Sequence, residues 1–535
     1  MNNNINLPEI PRDKFRFVEK NDLSHDKKLE TKPVGYFKGA FLRFCKNKGA
    51  IVAACVIIVL ILFAIIVPFC TPYTVSYFDE HYKSAMPRSE LFKNTSFWDG
   101  CETKVQNKFE FTVQYAIGLE TGGKHNGIKN QEYEIIESVD ETTGAVNTLY
   151  KFRRDSIETV GCIYKDFSFK EYAAIQQYQD EHNVQVIYPT IDLADRPNGG
   201  NGSYGGDAKF YFKTTPITSL TISIDYDEDG NIIPVYSKRP VSSASNDMYT
   251  SKMRIEGEDG VEIDGERYYY TYAKPKGAGV ELRINYYEYF VYNHTQVLKD
   301  GIESPHFLFG CDTNGRDILT CLASGARFSF LFAIAVAVVN MIVGAIYGSI
   351  EGYYGGKTDL IMERLSDILS AVPMMIVITL LKYHMGTASQ ILVLFISFFL
   401  TGWIGMAGTT RMQFYRFKNK EYVLEERTLG AKDGRLIFKH IFPNAIGTLV
   451  TSCALIIPSM IYSETNLTYL GIINLASGNI TSVGTLIANG QGALSTYPHI
   501  TLFPSVFLVL LMLSFNLFGN GLRDAFNPSL RGAEG

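Results

Sequence analysis

The chain has 535 residues, a formal net charge of −5 and a mean hydropathy of +0.01, figures that on their own describe an ordinary soluble protein. The average conceals two parts, since residues 71–306 carry 36 acidic against 24 basic side chains and the remainder carries 19 against 26. Eight cysteines with no Cys-x-x-Cys pair and no Cys/His cluster give no zinc signal, and no nucleic-acid partner is expected.

Residues 1–49 form a basic tail ending in Lys38, Arg43, Lys46 and Lys48. The uncharged run from Ala50 to Cys70 is long enough to cross a bilayer, which takes about 20 residues. It starts too far into the chain, and runs too long, for a secretory leader, so it reads as an uncleaved first span.

Residues 71–306 read mainly as β-structure. The stretches 208–227 and 266–293 alternate and are rich in Tyr, Thr, Ile and Val. Residues 132–152 read as a hairpin, 171–182 as a helix, and 196–206 as a glycine-rich loop. Asp225, Asp227, Asp229 and Gly230 are spaced like the start of a calcium loop, but Tyr236 stands where a bidentate Glu is required. A turn at Asp229-Gly230 accounts for them better. The tyrosines of 268–292 read as packing before they read as a binding surface. Cys101 and Cys162 fit a disulfide or two separate thiols equally.

Five further spans are expected near Phe328–Ile350, Ile368–Leu381, Ile391–Met406, Ile446–Tyr462 and Leu502–Leu517. Lys/Arg asymmetry orients them. Residues 410–445 carry Arg411, Arg416, Lys418, Lys420, Arg427, Lys432, Arg435 and Lys439, whereas 464–501 carry no Lys or Arg. Both termini and 410–445 are therefore expected inside, and 71–306 outside. Asp367 and Glu464 lie near span ends. Asp367 is expected at a helix N-terminus, and Glu464 is left open as a polar-pathway group.

Two phosphate-loop look-alikes fail. Gly352 to Thr358 lacks the required glycine at Glu351, and the 310–317 stretch ends Arg316-Asp317 with neither Lys nor a hydroxyl. No nucleophile, zinc or paired-carboxylate constellation supports catalysis. The segment 421–444 is charged yet carries Val423, Leu429, Leu436, Ile437, Ile441 and Phe442. It reads as helix, a bend at Gly430, then a second helix ended by Pro443. Residue chemistry alone fits docking to a cytosolic partner and lying on anionic lipid equally well.

The same segment resembles the EAA loop of ABC importer permeases. Gly430, Ile441 and Pro443 match its pattern, Leu424-Glu425-Glu426 stands at the Glu-Ala-Ala positions, and Phe442 replaces the leucine before proline. Residues 309–329, FGCDTNGRDILTCLASGARFS, resemble a signature of the dipeptide/oligopeptide/nickel importer permeases, with Asp312, Gly315, Arg316, Asp317, Gly325 and Arg327 in place. Residues 351–373 supply its Asp367 and Pro373, and residues 515–532 its Arg523 and Asp524. The departure is the length of 71–306.

The resemblance implies an all-α polytopic membrane protein with six transmembrane helices of the type I ABC importer permease fold. A β-rich α+β extracytoplasmic domain, residues 71–306, would lie between spans 1 and 2. Residues 307–520 would form the permease domain, with the coupling loop at 421–444, and 521–535 a cytoplasmic tail. The implied partners are a homologous second permease subunit, two ABC ATPase subunits, an extracytoplasmic solute-binding protein and the lipid membrane. ATP and magnesium would sit on the ATPases, with no cofactor on this chain. Glu421, Glu425, Glu426, Arg427, Gly430, Ala431, Lys432, Ile441 and Pro443 would meet the ATPases, Arg427 and Lys432 through acidic groove residues. A membrane-anchored receptor or adhesion protein, and an ion-coupled secondary transporter, are the competing readings.

Overall fold

The computed structural model describes residues 36–188 (except 93, 94, 108, 109, 112, 113, 116, 119, 120, 122 and 140–145), strand segments between 214 and 276, and 278–526 (except 387, 388 and 476–479). The expected glycine-rich loop at 196–206 and the calcium-like loop at 225–236 lie outside the described residues.

An amphipathic helix α1 (Tyr36–Lys46) precedes α2 (Lys48–Cys70), whose start is capped by the Asn47 side chain accepting from Ala50 N. Among the described residues, four more helices are long and apolar enough to cross a membrane: α5 (Ile318–Tyr354), α8 (Gln390–Phe417), α10 (Asp433–Tyr469) and α12 (His499–Phe526). The pair α6 (Gly356–Ser370) and α7 (Met374–Met385) meets at 72° and makes a sixth span only if the two count as one. This corrects the bounds of the expected span Ile368–Leu381, which is broken inside them. Pro373 donates no backbone hydrogen bond and holds an extended ψ of 131° ahead of α7, so the helix breaks there.

Two other boundaries move. The helix α5 starts at Ile318, capped by Asp317 accepting from Thr320 N at 2.8 Å, ten residues before the expected apolar run at Phe328. Pro443 does not end a helix, because α10 runs from Asp433 through it to Tyr469. A π turn at Leu436–Ile441 widens the helix just ahead of Pro443, which gives the ring room where a regular turn would clash.

Two of the seams along which the membrane helices pack bear on the site. Ile57, Leu60 and Ala64 of α2, Leu322, Ala326 and Phe330 of α5, and Phe507 and Leu511 of α12 enclose the short helix α11 (Val483–Gly490) through Val483 and Leu486. The helices α5 and α8 approach backbone to backbone along Gly344, Gly348 and Gly352. A Cβ on Gly348 would strike the Ala407 carbonyl, so the four-residue glycine row sets the spacing.

In 71–306 the strands β1 (Cys101–Asn107), β2 (Ile128–Val139) and β3 (Val146–Asp155) form an antiparallel sheet in the order β1-β3-β2. The pair β2–β3 is the expected hairpin. Next come β4 (Cys162–Ser168), the expected helix α3 (Phe169–His182) and β5 (Ile187–Tyr188). Two small hairpins follow, β6 (Thr214–Pro216) with β7 (Ile222–Ile224) and β8 (Gly260–Ile263) with β9 (Glu266–Tyr269). The strands β10 (Ala273–Lys276) and β11 (Gly279–Asn285) then extend a second sheet, β10-β11-β4, with β5 also paired to β11. Cys101 and Cys162 are buried at the starts of β1 and β4, in different sheets, and no disulfide joins them.

The tyrosine-rich strand expected through 293 stops at Asn285. Its side chain accepts from Glu288 N at 3.2 Å and starts α4 (Tyr286–Tyr292). Tyr289, Phe290 and Tyr292 are buried on this helix, and that packing outweighs their strand preference. The helix ties the insert to the membrane part. Tyr82, Phe290, Phe307 and Cys311 share one buried cluster, and Asp79 accepts from Tyr286 Oη at 2.7 Å.

His125 is buried between two carboxylates, with Nδ1 2.9 Å from Glu158 and Nε2 3.0 Å from Glu288. Lys124 reaches Glu288 at 2.6 Å, and Arg88 reaches Asp155 at 3.4 Å. Burial works against charging the ring, but the two carboxylates outweigh it and raise its pKa from 6.5 to about 9. The folded value lies above the unfolded one. The contribution to stability is therefore complete below pH 6.5 and is lost as pH climbs through 9. Replacing His125 with Gln should cost about 3 kcal/mol near pH 6 and much less near pH 10. Protease resistance of the 71–306 region across pH measures this, and a penalty independent of pH would contradict it.

Candidate functional site: a docking bend between two helix ends

The helix α9 (Glu421–Thr428) has acidic Glu421 in its first turn and basic Arg427 in its last, matched to the two ends of the helix dipole. It closes on Gly430, whose φ of +84° favours glycine. Ala431 N returns to Glu426 O at 3.1 Å, and Gly430 N reaches Arg427 O at 3.0 Å. Lys432 is extended, and α10 begins at Asp433.

An apolar seat fixes this bend. Val423 of α9 and Leu436, Ile437 and Ile441 of α10 are buried against Tyr353 at the end of α5 and Phe414 at the end of α8. Tyr353 Oη donates to Asp433 Oδ1 at 2.7 Å, and Tyr354 Oη reaches the same carboxylate at 3.3 Å. The Arg427 guanidinium lies over the Tyr353 ring, 5.6 Å from its centre. Beside the seat, Arg411 of α8 forms paired bonds to Asp359 at 2.6 and 2.8 Å and to Glu363 at 2.7 and 3.1 Å. These hold α6 against α8.

The residues expected to meet a partner divide. Glu421, Glu425, Arg427, Gly430, Lys432 and Pro443 are exposed, and Glu426 and Ala431 are half-buried. Ile441 is fully buried in the seat, so it supports the bend from within and presents nothing outward. Glu426 faces Arg435 at 3.8 Å and His440 at 3.7 Å within the chain. The side chains that present the most apolar surface are Leu429, 82% exposed, and Phe438, 61% exposed, with Leu424 less so. Sequence reading singled out neither Phe438 nor the Tyr353 and Arg411 braces. The signal for Phe438 was an aromatic residue between Ile437 and Lys439 on a helix whose other apolar positions turn inward.

The signature residues do not converge on one site. Asp312 accepts from Asn314 N at 2.8 Å and Arg316 N at 2.9 Å, and Gly315 abuts the Asp79 carbonyl. With Asp317 they shape the turn that starts α5. Gly325 lies against Ser482, and Arg327 stacks on Phe69 at 6.0 Å. Asp367 was expected at a helix N-terminus, but it lies in the last turn of α6, exposed and paired with Arg364 at 2.9 Å. The dipole does not favour an acid there, and the ion pair takes that role. Pro373 makes the α6–α7 break, and Arg523 and Asp524 are exposed near the end of α12. The GYYGGKT stretch is a bend between α5 and α6, with Gly355 and Gly356 at φ +65° and +60°.

Residues 340–532 match the family described as binding-protein-dependent transport system inner membrane component, and residues 35–87 match the N-terminal transmembrane domain of oligopeptide transport permease C. The chain is 42% identical over 241 residues to the oligopeptide transport system permease protein OppC of Bacillus subtilis, covering 45% of this chain and 78% of that protein. It is 37% identical over 227 residues to the dipeptide transport system permease protein DppC of Lactococcus lactis, covering 42% and 65%. It is 37% identical over 230 residues to OppC of Escherichia coli K12, covering 43% and 74%.

Removing the Tyr353 ring takes away the floor of the seat and a hydrogen bond to Asp433. Tyr353→Ala should cost about 3–5 kcal/mol locally and open 421–435 to protease while the spans stay intact. Limited proteolysis of membranes measures it, and cleavage unchanged from the parent chain would contradict it.

Proposed function

This chain belongs to the binding-protein-dependent transport system inner-membrane component family, and from that premise we propose that it is the peptide-conducting permease half of an ATP-driven importer, with the Gly430 bend as its ATPase docking surface. The relatives' names carry oligopeptide and dipeptide transport, and the substrate proposed here is a short peptide. In this reading both termini and the bend face the cytoplasm, α6 and α7 together count as a sixth span, and 71–306 forms one extracytoplasmic domain. A homologous permease supplies the other half of the pathway. Two ATPase subunits carry ATP and magnesium, and an external solute-binding protein delivers the peptide.

The observation that carries this reading is Leu429, thrust outward at the tip of a bend whose interior is packed. A lone exposed leucine is ordinary, but here the backbone is held in a glycine-only turn that aims it. The competing occupant is an anionic lipid surface. Exposed Glu421 and Glu425 on the same short helix oppose it, whereas mixed charges around an apolar tip suit a protein groove. The ion-coupled and receptor readings give the bend no partner and leave its construction without a use.

Nucleotide-driven closure of the ATPases would push on the bend. The seat passes that push to α10 directly, and to α5 and α8 through Tyr353 and Phe414. Transport then follows from a free-energy difference between two arrangements of the helices.

Purified with its partner subunits and reconstituted, the chain should support ATP hydrolysis stimulated by binding protein loaded with short peptides. Stimulation by nickel alone, or none by any peptide, would contradict the peptide reading. Gly430→Val meets no neighbouring atom and acts only through backbone strain of about 1–2 kcal/mol. It should abolish uptake while the protein remains in the membrane, and normal uptake would count against the bend. Leu429→Asp should weaken ATPase co-purification by about 10-fold or more. Unchanged recovery of the ATPases would contradict docking through this tip.

A further inference from the structure

The helix α10 runs 37 residues from the bend to Tyr469, about 55 Å at 1.5 Å per residue, with a π turn at Leu436–Ile441 and Pro458 inside it. One end lies in the docking bend. Near the other end is Glu464, with no solvent exposure at all. A carboxylate buried in a membrane helix is costly and calls for an explanation.

Its surroundings supply one. Glu464 Oε2 accepts from Ser329 Oγ of α5 at 3.1 Å. The adjoining helix α11 starts at Ser482, which caps it through Thr485 N at 3.2 Å. Glu464 Oε1 and the neighbouring Thr465 Oγ1 are buried without a partner. The backbone of α11 sits directly on α10, since a Cβ on Gly484 would collide with Thr468 and approach Thr465 Cα to 2.6 Å. Gly325 of α5 closes the other side of Ser482, where a Cβ would lie 3.0 Å from its carbonyl carbon. Three helices therefore meet at this one side chain, and α11 leads on to Leu494, which is half exposed. Apolar packing alone would hold them with no desolvation cost. A carboxylate bonded to α5, on the helix that α11 packs against, adds a fixed geometry between the three.

We propose that Glu464 is a positioning residue for transport. It fastens the far end of α10 to α5, beside the close contact that seats Gly484 of α11 on Thr465 and Thr468, so that displacement of the Gly430 bend is delivered to α11 at the opposite mouth. This rests on the import reading above. The bend receives the push, α10 carries it past the π turn at Leu436–Ile441 and Pro458, and Glu464 is where it leaves the helix.

The test uses the complete reconstituted complex carrying Glu464→Ala or Glu464→Gln. Four quantities are measured: recovery of the ATPase subunits, basal ATP hydrolysis, hydrolysis stimulated by peptide-loaded binding protein, and peptide imported per ATP. Glu464→Ala should leave recovery and basal hydrolysis near the parent values while import per ATP falls about tenfold or more. Glu464→Gln keeps the shape and one acceptor oxygen, and should restore most of the coupling. Parent-like import per ATP in Glu464→Ala would overturn the proposal. So would a parallel loss of recovery and basal hydrolysis in both variants, which would mark a purely structural role. If the unsubstituted complex shows no peptide-stimulated hydrolysis, the import reading fails, and this inference falls with it.

Discussion

The packing of Val423, Leu436, Ile437 and Ile441 onto Tyr353 and Phe414 is the contact on which the rest depends. An eight-residue helix such as α9 does not hold itself together in water. It buries a single residue, Val423, and most of its surface is charged. The seat therefore fixes where the helix lies, and Gly430 fixes the direction in which the chain leaves it. Because the floor of the seat comes from the ends of α5 and α8, the bend cannot move without moving those ends.

The opposite end of the molecule is built on a comparable principle with different chemistry. Residues 71–306 are joined to the spans through an aromatic cluster of Tyr73, Tyr82, Phe290 and Phe307, and through Asp79, which bonds Tyr286 and the turn before α5. The helix α4 is the joint. The part of the insert described around it is thereby fastened to the start of α5, the helix whose other end floors the seat. In the proposed orientation, one continuous helix links the extracytoplasmic insert to the ATPase-facing bend.

Much of this was legible in the sequence because membrane helices announce themselves by composition, and because the bend at Gly430 needs glycine for steric reasons. The misreadings share a cause. Pro373 and Pro443 look alike in sequence, yet one breaks a helix and the other is absorbed by a π turn, and only the packing around each decides. Asp367 was placed at the wrong end of its helix because the break at Pro373 was read as the middle of a span. The Tyr286–Tyr292 stretch has strand composition but is helical, since its aromatic residues find more burial there. Ile441 looked like a contact residue and is part of the seat. Exposure is a property of the fold, and a charged, amphipathic run does not reveal which of its apolar residues face inward.

The most direct measurement is cross-linking from a cysteine at Leu429 in native membranes, in the presence of peptide and nucleotide. The account predicts an adduct with an ATP-hydrolysing subunit whose yield changes when nucleotide is bound. Labelling of that cysteine from outside the cell, or an adduct with no ATPase in membranes actively importing peptide, would contradict it.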